Sequence, residues 1–65
     1  MSEDPETAQA RIFLAELEKH AQIVARRRAA AAAGSHDALT AELSHIRRQI
    51  DKIWRRFPQL RPEHP

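Results

Sequence analysis

From Leu39 to Phe57 the apolar residues Leu39, Leu43, Ile46, Ile50, Ile53 and Phe57 recur at steps of 4, 3, 4, 3 and 4. That is a heptad seam, the pattern of a helix that lies along another helix. A weaker seam runs earlier in the chain, where Ala10, Phe13, Leu17, His20, Val24, Arg27 and Ala31 keep the same spacing. Two seams in one short chain predict an all-α fold: an antiparallel, coiled-coil-like two-helix hairpin.

Local punctuation predicts the boundaries. Asp4 is a capping residue, and Pro5 suits the first helical position because no amide donor is needed there. Helix-favouring residues run on to Ala33, and Gly34 is the usual residue for a left-handed helix stop. Helix one is therefore expected over 5–33, the turn over 34–35 and helix two over 36–57. Ser35 would cap the second helix, with Asp37 in its first turn to complement the dipole. Pro58 ends that helix, since the residue before a proline is driven out of the helical region. Residues 1–4 are left as an N-terminal tail, and 58–65 as a Pro-rich tail expected to trail as extended chain.

Folding the chain back at Gly34 brings together residues whose numbers add to roughly 70. Phe13 then meets Phe57, Leu17 meets Ile53, His20 meets Ile50, Val24 meets Ile46, and Ala31 meets Leu39. Beside this seam Leu14 comes against Trp54, Glu16 against Arg56, and Arg28 near Glu42 or Thr40. The same register relates Glu18 to Lys52 and Lys19 to Asp51.

Sixty-five residues in a two-helix seam bury little surface, and chains this small commonly need a second copy or a partner. The expected outcome is a homodimer pairing into a four-helix bundle, or docking on another protein. Ile12 and Ile23 are eleven residues apart, three helical turns, and share a face that helix two does not cover. The expected interface set is Trp54, Ile12, Ile23, Leu14, Phe13 and Phe57, with Trp54 as the anchor. A core His20 stacked on its copy in such a dimer would loosen the assembly as pH falls through the histidine range.

Charge adds an alternative. The chain carries 11 Lys and Arg against 9 Asp and Glu, a net charge of +2. That is a weak field for nucleic acid, and the acidic Glu16, Glu18, Glu42 and Asp51 lie within reach of the basic residues. Arg26, Arg27, Arg28, Arg48 and Arg55 are nevertheless the candidate set for binding nucleic acid or another anion.

Candidate chemistry is sparse. With no cysteine there is no disulfide, thiolate metal site or cysteine nucleophile, which fits a reducing compartment. His36, His45 and His64 lack the i, i+3 or i, i+4 partner that places two metal ligands on one helix face. A single glycine leaves no phosphate loop, and Ser2, Ser35 and Ser44 have no evident histidine and carboxylate to work with. The run Leu43 to Ile53 resembles the first helix of helical chorismate mutases, whose fold needs a third helix and more cationic site residues. No catalytic residue, metal or cofactor is expected. The acidic start (Glu3, Asp4) and the lack of a membrane-length apolar run point to a cytoplasmic protein with no membrane partner.

Two short signatures carry a family resemblance. Arg11-Ile12 precedes Glu18-Lys19-His20, and helix two carries Ile50-Asp51-Lys52-Ile53-Trp54. Together they resemble a family of small bacterial proteins of unknown function, with R-I-x6-E-E-H in the first helix and L-D-x-C-W-D-L-L-R-Q-R-R in the second. Ile53 stands where that family has cysteine, Arg55, Arg56 and Phe57 replace D-L-L, and Pro58 interrupts the helix. The resemblance implies a helical hairpin and no activity.

Overall fold

The structure, a computed structural model, describes residues 3–62. Two helices, α1 (Pro5–Ala30) and α2 (Ala33–Arg56), pack side by side, followed by a short 3-10 turn over Pro58–Leu60. The all-α hairpin is present. Met1 and Ser2 of the expected N-terminal tail, and 63–65 of the C-terminal one, lie outside the described residues.

α1 begins as its sequence dictates. The Thr7 amide donates to Asp4 Oδ1 at 2.6 Å, and Pro5 opens the helix. Thr7, through its side chain first and then its amide, holds the Asp4 carboxyl below the usual carboxylate range. Arg27 and Arg28 stand in the last turn, where cations complement the helix dipole.

The turn is not at Gly34. α1 stops at Ala30, and the chain reverses through Ala31 (φ −80°, ψ 148°) and Ala32 (φ −66°, ψ 159°), both extended. Any L-residue adopts that backbone, so the break needs no glycine. Gly34 and Ser35 are inside α2, none of the described residues has positive φ, and the capping position falls to Ala32, which offers no side-chain acceptor.

Moving the turn leaves the pairing of the helices near the expected register. One groove between them brings Phe57 to Ala10 and Phe13, and another brings Ile50 to Glu18 and Ala21, pairs whose numbers add to 67–71. Among the described residues two exposed ion pairs also cross between the helices, Arg56 with Glu6 and His20 with Glu42. Leu43, Ile46 and Ile50 are buried, with Leu39, Ile53 and Phe57 packed around them.

On α1 the buried stripe differs from the expected seam. Leu14, Leu17 and Val24 are buried, with Ala10, Ala21 and Ala25 packed against the core. Phe13 (55% exposed) and His20 point outward instead. The reason lies in the spacing: Ala10, Leu14, Leu17, Ala21 and Val24 also follow steps of 4, 3, 4 and 3, and small alanines let the backbones approach.

Residues 58–60 of the expected tail do not trail away. Phe57 leaves the helix at φ −127°, ψ 72°, as Pro58 requires, and the Leu60 amide then closes on the Phe57 carbonyl at 2.9 Å. That tight turn returns Leu60 to the core, where it is buried with Leu14, Leu43 and Ile50.

Candidate protein-interaction face

The folded chain measures 49 × 25 × 15 Å. Its thinnest dimension is little more than one helix with its side chains, about 10–12 Å. Each helix therefore has a single neighbour and turns its opposite side to solvent.

The two solvent faces differ in kind. The exposed large apolar residues among the described residues, Ile12 (67%), Phe13 and Ile23 (40%), all belong to α1. Ile12 and Ile23 sit about 150° round the helix from the centre of the buried stripe. Phe13 lies between the two faces and, with Ile12, Ala10 and Phe57, walls an open groove of about 520 Å³ whose rim carries Glu6, Glu16 and Arg56. Arg56 is held there by Glu6 and also lies over the Phe57 ring at 5.6 Å, so the Glu16–Arg56 pairing expected from sequence is replaced by one from the first turn of α1.

The expected interface set divides. Ile12, Ile23 and Phe13 are on the surface and available. Leu14 is 6% exposed and belongs to the hairpin core. Trp54 and Phe57 are half-buried and packed against that core, and the Trp54 indole nitrogen is enclosed without an acceptor among the described residues. Trp54 therefore closes the intramolecular core beside Leu14, in place of standing out as an anchor. The clue missed at the sequence level is rotational: one position separates Phe13 from Leu14, and the larger ring was assigned to the seam.

The arginine set is not gathered into one patch. Arg26 lies on the outer side of α1, whereas Arg48 and Arg55 lie on the outer side of α2, and these sides face away from each other. Arg27 is exposed on the flank, Arg28 is half-buried, and Arg55 is tied to Asp51 at 2.8 Å. His20 is not in the core either. Its side chain is 53% exposed, with Nε2 3.5 Å from Glu42 Oε1, so the premise of a stacked, pH-sensitive core histidine fails.

No group of three metal-ligating side chains is assembled among the described residues, and none of their helices is long and apolar enough to cross a membrane. What this surface can do is bury apolar side chains against another helix. Comparison with protein-family models, curated proteins and solved structures gives no match for this chain.

Proposed function

We propose that this chain is a small, non-enzymatic interaction module in which the hairpin is a scaffold and the outer side of α1 engages another protein chain. The observation that carries the reading is the asymmetry of the two helices. α2 places its large apolar residues in or against the hairpin core, while α1 keeps Ile12, Phe13 and Ile23 in water. Nothing in the hairpin's own packing calls for large apolar groups at Ile12 and Ile23, whereas exposed apolar residues sharing one helix side are a mark of a contact surface. A cysteine-free chain of this kind suits the reducing cytoplasm.

The test is the concentration dependence of molecular mass, by sedimentation equilibrium, for the native chain and for Ile12→Ser/Ile23→Ser. The reading expects association that the substitutions abolish while helicity by circular dichroism is retained. Equal association in both proteins would overturn it.

A further inference from the structure

The outer side of α1 carries a pattern that is its own complement. Pro5, Gln9, Ile12, Glu16, Lys19, Ile23, Arg26 and Ala30 follow steps of 4, 3, 4, 3, 4, 3 and 4 along the whole helix. That is a second heptad seam, turned away from α2, and every residue in it is exposed. Read backwards, its central order of Ile, Glu, Lys, Ile becomes Ile, Lys, Glu, Ile.

Resting on the reading of this face as an interface, we infer that its occupant is a second copy of the chain, laid antiparallel, α1 against α1. Placing Ile12 level with the partner's Ile23 puts Glu16 level with the partner's Lys19, and the two-fold axis repeats both pairs. Gln9 then faces the partner's Arg26, and Pro5 faces the partner's Ala30. The axis falls between Leu17 and Glu18, at the midpoint of Pro5–Ala30, so the two helices overlap along their full length. No other register gives both the apolar match and the charge match at full overlap.

Parallel pairing is disfavoured by the same residues. It would set Glu16 on the partner's Glu16 and Lys19 on the partner's Lys19, and like-charge contacts act against a wrong arrangement. Among the described residues neither Glu16 nor Lys19 forms an ion pair within the chain, so both charges are available to a partner. α2 offers no competing surface: its outer side presents Ala41, Ser44, Arg48 and Arg55, all exposed and without a large apolar side chain. Because the α1 seam lies nearly opposite the hairpin core, the dimer is a flat layer of four helices in the order α2, α1, α1, α2. It is not a closed four-helix bundle.

The test uses complementary charge reversals. Glu16→Lys and Lys19→Glu should each weaken self-association on the order of tenfold, since each places like charges across the axis twice. An equimolar mixture of the two variants should recover native affinity as a heterodimer. Each variant chain still holds two like charges three residues apart, so recovery has to come from contacts between chains. Variants that associate like the native chain would overturn the register while leaving the interaction reading intact. A native chain that stays single at millimolar concentration would overturn self-pairing itself.

Discussion

Arg56, in the last turn of α2, is ion-paired with Glu6 in the first turn of α1, 50 positions earlier in the chain. Together with His20 and Glu42 this contact ties the hairpin at its open end and near its middle. Heptad seams are degenerate to slips of one repeat, so polar pairs outside the seam have to select among registers that bury the same apolar stripe. The selection is testable by a double-mutant cycle. Glu6→Gln and Arg56→Gln should each cost under about 1 kcal/mol, as exposed pairs do, and the double variant should cost less than their sum. Glu16→Gln combined with Arg56→Gln should be additive in urea unfolding, because Arg56 is held by Glu6 although Glu16 stands on the same groove rim; coupling there instead would make Glu16 the partner of Arg56.

Gly34 gives a sign test of the turn. A Cβ at this position would meet nothing within 4 Å, and its backbone is helical without positive φ. Gly34→Ala should therefore stabilise the hairpin by about 0.5–1 kcal/mol in urea unfolding. Had Gly34 been a left-handed stop, the same change would destabilise by a similar amount.

The acid limb of stability should depend on Asp4. Its carboxyl is held below the ordinary range by Thr7, so its folded pKa lies under its unfolded one. Such a group contributes stability that is present in full above the unfolded pKa and is lost as pH falls through the folded pKa. The midpoint of thermal unfolding of Asp4→Ala should lie below that of the native chain at neutral pH, and the two should converge in acid. A constant difference across the range would remove Asp4 from the account.

Inner and outer apolar residues should respond differently to truncation. Leu43 is 1% exposed, so Leu43→Ala should cost about 2–4 kcal/mol. Ile12→Ser should leave unfolding of the dilute, monomeric chain within about 0.5 kcal/mol of native. A large effect of Ile12→Ser on the dilute chain would mean that Ile12 contributes to the hairpin itself.

The legibility of this chain follows from where its large side chains lie. α2 was readable because Leu43, Ile46 and Ile50 fall on one stripe and its other large apolar residues flank that stripe. α1 was readable as a helix but not in its rotation, because large apolar residues occupy two sides and half of the inner stripe is alanine. Ala10, Ala21 and Ala25 pack closely yet carry little hydrophobic signal, so Phe13 and His20 displaced Leu14 and Ala21 in the expected seam. The turn was hidden for a related reason. Within the alanine run from Ala29 to Ala33 nothing marks the break, while Gly34-Ser35 a few positions later resembles a stop and a cap. Pro58 correctly ended α2, but the return of Leu60 to the core depends on a tertiary contact that local chemistry does not announce. The uncovered side bearing Ile12 and Ile23 was legible from spacing alone. The self-pairing proposed for it also draws on the limits of α1, which place the axis of that pairing at the helix midpoint.

Disulfide trapping tests the pairing of α1 with its copy most directly, since the chain has no cysteine of its own. In the antiparallel register a chain carrying both Ile12→Cys and Ile23→Cys should oxidise to a doubly linked dimer, and either substitution alone should link poorly. Within one chain the two positions are about 16 Å apart along the helix, too far to bridge, so every bond formed reports on a partner. Efficient linkage of Ile12→Cys to itself, or double-cysteine chains that remain monomeric under oxidation at millimolar concentration, would contradict the account.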